Sequence, residues 1–157
     1  MKLFDADILS YVVYDAHIAH EVAWELFETA LHQEIALYVL PTTILETYNT
    51  LFWYYRVRPR RALLEKLGAI IDQMSRLPVA ENGLLVAQEK NIPLGDGFLL
   101  ATAKSQRIPV ILSNDAHIQK QAPTMGLFVE NPISEELRKQ MGQGGTPDQF
   151  EIRPQEF

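Results

Sequence analysis

Four acidic residues in this sequence have the type and the placement of ligands for a divalent metal. Asp5 and Asp115 each follow a short apolar run directly, and Glu46 comes soon after a third such run. Asp96 begins the most apolar helical segment. Carboxylates gathered at one place repel one another unless protons or a cation neutralise them. Since the chain has no cysteine, these hard oxygen donors predict Mg²⁺ or Mn²⁺, ions that activate water for phosphodiester cleavage.

Each of these acids also has a purely structural interpretation. Asp5 and Asp96 stand where a side chain can cap a helix, and Asp115 stands where a carboxylate interacts favourably with a helix dipole. Glu46 comes three residues after Thr43, which is the spacing of a capping box. The joint pattern nevertheless favours a shared site, because ligands of open α/β sheets bind beyond the carboxyl ends of the strands.

The elements that would position the acids alternate between short apolar runs and helical stripes. Strands are predicted at residues 2–4, 36–40, 110–112 and 127–129, with an extended connection at 77–79. Helices are predicted at 8–13, 17–33, 43–55, 59–74, 84–89 and 98–103, with a short one after residue 115. This alternation predicts an α/β protein, a three-layer α/β/α fold around a small, mainly parallel sheet.

Length and composition predict one main domain over residues 1–131. Residues 132–157 form a C-terminal extension that is expected to be partly disordered, because it contains the only linker-like segment. A signal peptide is not expected, because Asp5 and Asp7 interrupt the N-terminus early, and no apolar run approaches membrane length. The expected location is therefore the cytoplasm.

The formal net charge of −6 argues against a broad basic surface for nucleic acid. Basic residues are concentrated in one short segment instead, and this segment is a candidate RNA-binding patch. Its members are Arg56, Arg58, Arg60 and Arg61.

Four short motifs resemble, in order and spacing, those of PIN-domain nucleases over roughly residues 2–130. Phe4-Asp5-Ala6-Asp7-Ile8-Leu9 is similar to the N-terminal signature of that family. Glu46 matches the acid early in the third helix, and Leu94–Ala103 is similar to the buried segment in which an Asp precedes an Ala-x-Ala helix. Ile111–Asp115 is similar to the strand that ends in Thr/Ser-Asn-Asp.

The resemblance implies a Mg²⁺- or Mn²⁺-dependent endoribonuclease with a PIN-like fold. It implies that Asp5, Glu46, Asp96 and Asp115 are the catalytic, metal-binding acids. Asp7, Ser113 and Asn114 would contact substrate or support those acids. Many small bacterial members are VapC-like toxins, usually homodimeric and inhibited by a cognate antitoxin. The resemblance therefore fits either such a toxin or a stand-alone nuclease.

The sequence departs from the family pattern at Gly97, where Ala is usual, and at His117, where a further Asp is often found. Two other functions are weighed against the nuclease. One is a catalytically inactive PIN-fold module that binds RNA or protein. The other is a haloacid-dehalogenase-like phosphotransferase, disfavoured because Leu9 and Leu100 stand where that family needs a Thr and an acid.

Overall fold

A five-stranded, wholly parallel sheet lies at the centre of the computed structural model of this chain, which describes residues 1–142. The strands are β1 (Lys2–Phe4), β2 (Leu37–Val39), β3 (Ser75–Arg76), β4 (Val110–Leu112) and β5 (Phe128–Glu130). The helices are α1 (Ala6–Val13), α2 (His20–His32), α3 (Pro41–Asn49), α4 (Arg60–Ile71), α5 (Gly83–Lys90), α6 (Leu94–Ser105), α7 (Ala116–Gln121) and α8 (Glu135–Gly142). The strand order β3-β2-β1-β4-β5 puts β1 in the middle.

Residues of the sheet alternate between two separate cores, as the two-residue period of a strand requires. Leu3 of β1 and Ile111 of β4 pack in a cluster that includes α6. Their neighbours Phe4 and Leu112 pack in the other cluster, with α1, α2 and α4. Helices therefore cover both faces of the sheet, and the predicted three-layer α/β/α fold is confirmed.

The close contact between α5 and α6 depends on two glycines. A Cβ on Gly97 would lie 2.7 Å from the Ala87 Cβ and would also collide with the Gly83 carbonyl oxygen. A Cβ on Gly83 would lie 2.7 Å from the Phe98 Cα. Both distances are shorter than real Cβ atoms accept, so only glycine fits. This contact explains why Gly97 stands where the family usually has Ala, and it fixes the start of α6 beside α5.

Several predicted boundaries differ from the structure, among them the following three. α3 begins at Pro41 rather than at residue 43, because proline is favoured in the first turn of a helix. The α2 helix begins only at His20. β3 lies at Ser75–Arg76 instead of 77–79, and both of its residues are exposed, so it carries no apolar pattern that the sequence could reveal.

The helix after Asn49 continues as a π-helical turn, Thr50–Tyr54, and a 3-10 turn, Ala122–Met125, follows α7. Of the C-terminal extension, residues 133–142 pack on the domain, since Ile133 and Met141 are buried in the cluster of α1 and α2. The boundary after residue 131 stays a prediction, and residues 143–157 lie outside the described residues. Within residues 1–142, no helix has the length and apolar character to cross a membrane.

Candidate active site

The carboxyl ends of β1 and β4 lie side by side, and distant parts of the chain meet there. Phe4 pairs with Leu112 in the parallel register, and the N–H of Asp5 donates to the Leu112 carbonyl at 2.9 Å. Ser113 Oγ donates a hydrogen bond to Asp5 Oδ2 at 2.6 Å and accepts one from the N–H of Asp115 at 3.0 Å. A single buried hydroxyl thus joins two of the four predicted acids.

Two of the four acids do cap helices. Asp5 is the N-cap of α1 and accepts from the N–H of Ala6 at 2.7 Å. Asp115 is the N-cap of α7, and its Oδ1 accepts from the N–H groups of His117 at 2.7 Å and Ile118 at 3.2 Å. Capping and metal binding do not exclude each other here, because the caps hold one oxygen of each carboxylate and fix its direction.

The capping-box interpretation of Glu46 is wrong. The N-cap of α3 is Leu40, and no side chain caps this helix end. Thr43 already lies inside the helix, where its carbonyl accepts from Thr47 Oγ1 at 2.7 Å. Glu46 is half-buried one turn along α3 rather than serving a cap.

The N-cap interpretation of Asp96 is wrong as well. α6 begins at Leu94 and its N-cap is Pro93, so Asp96 stands within the first turn. Its side chain is 1% exposed. Its Oδ2 atom is the one buried side-chain oxygen or nitrogen in residues 1–142 that has no hydrogen-bond partner. A buried oxygen of this kind is costly unless a ligand satisfies it.

The electrostatics of the site show that the acids are gathered at one place. Burial raises the pKa of Asp96 to about 10, and four other carboxylates add to the increase: Asp5, Asp115, Glu46 and Asp7. Burial, together with Asp5 and Asp115, raises the pKa of Glu46 to about 8. Each carboxylate disfavours the charge of the others, so the set favours protons or a cation.

Asp5 and Asp7 differ in how well the protein supports their charge. Burial raises the pKa of Asp5 to about 6, and the hydrogen bond from Ser113 opposes this rise. Burial and the charge of Asp5 raise the pKa of Asp7 well above its usual range. Both Asp7 oxygens accept backbone N–H groups, Oδ1 from Ile8 at 2.7 Å and Oδ2 from Asn114 at 2.9 Å. Asp7 therefore ties α1 to the turn after β4.

The four predicted ligands have the right chemistry for a divalent cation, but their side chains are not already arranged around one. All four predicted ligands offer carboxylate oxygens, which Mg²⁺ and Mn²⁺ prefer. The unsatisfied Asp96 oxygen is the observation that favours an ion here. Among residues 1–142, however, no three Asp, Glu or His side chains stand close enough to hold one ion as they are. Binding would have to draw the carboxylates together.

Two arginines of the predicted RNA-binding patch, Arg58 and Arg60, are exposed but contact other residues of the chain. The Arg58 guanidinium lies 3.5 Å from the centre of the Phe52 ring and donates to the Phe52 carbonyl. The Arg60 guanidinium lies 4.6 Å from the same ring, and its Nε donates to Tyr48 Oη at 3.0 Å. Both residues therefore stabilise the segment that follows α3.

The other two arginines, Arg61 and Arg56, are exposed as well. Arg61 pairs with Glu65 at 3.4 Å, and the Arg61 side chain is 92% exposed. Arg56 is exposed and has a left-handed backbone, with φ of 60°. An exposed pair of this kind is weak, so Arg61 can exchange Glu65 for another anion.

Sequence reasoning missed Asn131, which contacts the site from β5. Its Nδ2 donates to Asn114 Oδ1 at 3.0 Å. The residues are far apart along the chain, and β4 and β5 become neighbours only in the sheet. The available signal was the Asn131-Pro132 pair directly after a strand, which is typical of a turn.

Comparisons with known proteins agree on the fold. The sequence model of the family described as PIN domain matches residues 2–122. The structure of PAE2754 from Pyrobaculum aerophilum is similar with a TM-score of 0.62 and 18% identity, over 90% of this chain and 87% of that one. The structure of VapBC2 from Rickettsia felis, bound to a DNA fragment from its promoter, is similar with a TM-score of 0.62 and 12% identity, over 83% of this chain and 97% of that one. The structure of FitAB bound to an IR36 DNA fragment is similar with a TM-score of 0.63 and 17% identity, over 84% of this chain and 95% of that one. A sequence search of curated proteins gives no significant match.

Proposed function

Because this chain belongs to the PIN domain family, we propose that it is a metal-dependent endoribonuclease that cleaves RNA phosphodiester bonds. The observation that carries the proposal is the buried, unpartnered Oδ2 of Asp96, whose pKa is raised to about 10 by burial and by the neighbouring carboxylates. A purely structural role would not place an unsatisfied oxygen beside several like charges, because that arrangement lowers stability.

The proposed site divides its work between metal ligands and the residues that hold them. Asp5, Glu46, Asp96 and Asp115 would hold Mg²⁺ or Mn²⁺. When bound, the ion supplies an activated water and stabilises negative charge on the phosphate. Ser113 keeps one oxygen of Asp5 hydrogen-bonded, which favours the ionised carboxylate that a metal needs.

Asp7 and Asn114 complete the proposed site from the side of α1 and β4. The hydrogen bond between the Asn114 N–H and Asp7 Oδ2 holds the turn that carries Asp115. The Asn114 side chain is partly exposed, so it can reach a substrate phosphate. Asp7 is 5% exposed and acts through this turn rather than on substrate.

RNA is the proposed substrate, and local rather than global attraction would bring it to the site. The chain carries a net charge of −6, so the exposed Arg56 and Arg61 are the proposed phosphate contacts. Arg58 and Arg60 would add to the positive electrostatic potential and to the shape of the RNA-binding surface, while their guanidinium groups remain on the Phe52 ring.

Cleavage of labelled single-stranded and hairpin RNA, with Mg²⁺, Mn²⁺ or EDTA, tests the proposal. We expect cleavage that requires metal and is abolished in Asp5→Asn and Asp96→Asn. Asp72→Asn is the matched control, since Asp72 is an exposed acid in a surface pair with Arg76. Cleavage that persists in EDTA or in Asp96→Asn would refute the metal mechanism, and cleavage of DNA alone would refute the RNA assignment.

We also propose a protein partner, a cognate antitoxin, and a homodimer. Two of the similar structures, VapBC2 and FitAB, were solved bound to DNA fragments. The resemblance to VapC-like toxins is what supports a partner of this class. Co-expression with a small reading frame next to this gene, followed by light scattering, measures both complex and homodimer. The stand-alone nuclease would be favoured if the protein is a monomer at high concentration and the product of the adjacent reading frame does not inhibit it.

A catalytically inactive PIN-fold module that binds RNA or protein is the second candidate. One observation favours it, namely that no three ligand side chains within residues 1–142 are arranged to hold an ion. Titration of Mn²⁺ into the protein, followed by calorimetry or by electron paramagnetic resonance, separates the two candidates. Absence of binding at millimolar Mn²⁺ would favour the module.

A further inference from the structure

Asn131 uses both ends of its side-chain amide to connect the exit of β5 to the candidate site. Its Oδ1 accepts from the N–H of Ile133 at 3.0 Å, and its Nδ2 donates to Asn114 Oδ1 at 3.0 Å. The Ile133 N–H can only donate, so it dictates which end of the Asn131 amide is oxygen. Asn131 therefore presents a donor, and not an acceptor, to Asn114.

The orientation of Asn131 in turn fixes the orientation of Asn114. Because Asn131 donates, Asn114 must present its oxygen to it and turn its own amide nitrogen away. Among residues 1–142, no acceptor is hydrogen-bonded to that nitrogen, so its two N–H groups remain available. Meanwhile the backbone N–H of Asn114 is held by Asp7 Oδ2 at 2.9 Å. Both the backbone and the side chain of Asn114 are thus constrained.

The anchor of this connection lies in the buried core. Ile133 is 4% exposed, and it packs in the same cluster as Met141 of α8. Residues 131–142 lie beyond the segment that the family model matches, 2–122. The orientation of an amide in the site therefore depends on a part of the chain outside the matched domain.

We propose that Asn131 is a positioning residue that holds the Asn114 amide nitrogen as a hydrogen-bond donor for a substrate phosphate. This inference rests on the proposed nuclease function. Neutral amides are suited to the task, because they offer N–H groups to phosphate without adding a charge to a site already crowded with carboxylates.

Asn131→Asp is the sharpest test, because it keeps the shape and the acceptor for the Ile133 N–H. A carboxylate can accept but not donate, so Asn114 would have to reverse its amide and give its nitrogen to residue 131. Ser134→Asp is the matched control for charge. Ser134 is exposed and its Oγ accepts from the N–H of Leu137 at 3.1 Å, a bond that Asp can keep.

Two readouts decide the question. In NMR spectra, the side-chain amide signal of Asn114 should move in Asn131→Asp and stay in place in Ser134→Asp. In cleavage assays, the KM of Asn131→Asp should rise about tenfold, as expected for one lost hydrogen bond to a charged group. Its kcat should stay within about twofold, because the lost contact is made with bound substrate.

Other outcomes would overturn the proposal. An unmoved Asn114 signal would show that Asn131 does not orient it. A lower kcat at unchanged KM would indicate loss of folded enzyme, as for a merely structural residue. If the wild-type protein cleaves no RNA, the nuclease proposal fails, and the NMR comparison still decides whether Asn131 positions Asn114.

Discussion

Ser113 Oγ and Asp5 Oδ2 lie 2.6 Å apart although 108 positions of sequence separate their residues. The contact is buried, and it opposes the rise in the pKa of Asp5 that burial causes. One hydroxyl thus favours the ionised form of a predicted metal ligand against the effect of burial.

Removing that hydroxyl should lower both stability and activity. Ser113→Ala leaves Asp5 Oδ2 without its donor and the N–H of Asp115 without its acceptor. We expect a loss of about 1–3 kcal/mol in the free energy of unfolding, typical of unsatisfied buried groups. The pKa of Asp5 should rise further, so the acidic limb of the pH–rate profile should move to higher pH. Ser113→Thr keeps the hydroxyl, and a shift as large in Thr as in Ala would contradict this explanation.

Asp96→Asn should stabilise the metal-free protein while abolishing cleavage. Burial and neighbouring carboxylates disfavour the Asp96 charge, and a neutral amide removes that conflict. Thermal unfolding in EDTA at pH 8 measures the effect. A gain in Tm of about 2–4 °C is expected for each kcal/mol in a protein of this size. A lower Tm in Asp96→Asn than in Asp72→Asn would count against the prediction.

The metal-free protein should become less stable as pH rises from about 5 to about 8. The pKa of Asp96 is raised from 3.8 to about 10, that of Glu46 from 4.5 to about 8, and that of Asp5 from 3.8 to about 6. Groups with a raised folded-state pKa bind more protons when folded. Their contribution is complete below the unfolded pKa and is lost as pH rises through the folded value. Urea denaturation in EDTA at several pH values measures the slope.

Divalent metal should oppose this loss at the alkaline end of the range. A cation replaces the protons that these carboxylates otherwise keep, so Mg²⁺ should stabilise the protein more at pH 8 than at pH 5. Calorimetry in buffers of different ionisation enthalpy would detect the released protons. Equal stabilisation at both pH values would indicate that the ion binds elsewhere.

The two helical glycines at positions 97 and 68 should respond in opposite ways to alanine. At Gly97 a Cβ would meet Ala87 at 2.7 Å, and we expect a loss of about 1–3 kcal/mol or more from overpacking. At Gly68, in α4, no atom of residues 1–142 other than the local helix backbone lies within 4 Å of an added Cβ, so alanine should stabilise the helix by about 1 kcal/mol. Chemical denaturation of both variants provides the comparison. Equal effects at the two positions would contradict the close α5–α6 contact.

Arg61→Ala should weaken RNA binding without changing stability. Arg61 is exposed and its pair with Glu65 is weak, so the free energy of unfolding should change by less than about 0.5 kcal/mol. Loss of one phosphate contact should reduce the slope of log K against log salt by about 0.7 for single-stranded RNA. Glu65→Gln is the control, because it removes the partner and keeps the arginine. If the slope of log K against log salt is unchanged in Arg61→Ala, Arg61 does not contact the RNA.

The sequence correctly predicted those elements whose own residues form a clear apolar pattern. Residues 110–112 form an uninterrupted apolar run, and β4 occupies that range. β3 was not predicted as a strand, and only an extended connection at 77–79 was expected, because Ser75 and Arg76 are exposed and pairing with β2 sets the position of β3. The start of α3 was missed because the helix was expected to begin at residue 43, whereas Pro41 already stands in its first turn.

The site could be predicted only in part, for a similar reason. The four acids were predicted from their residue type and from the order of the motifs along the chain. Their mutual effect on pKa agrees with a shared location. Whether Asp96 was a cap or a buried charge depends on where α6 begins, which single-residue preferences do not determine. The contact between Asn114 and Asn131 arises from strand order, a property of the whole sheet.

The central position of β1 has a consequence for synthesis of the chain. The first strand made is flanked by β2 on one side and by β4 on the other, and Asp5 meets its partners only through β4. A nascent chain that has not yet extended past Asp115 carries an incomplete set of acids and an uncovered strand edge. For the proposed nuclease, ribosome-bound intermediates should therefore not cleave RNA, and activity should appear only after the turn that follows β4 has emerged and paired.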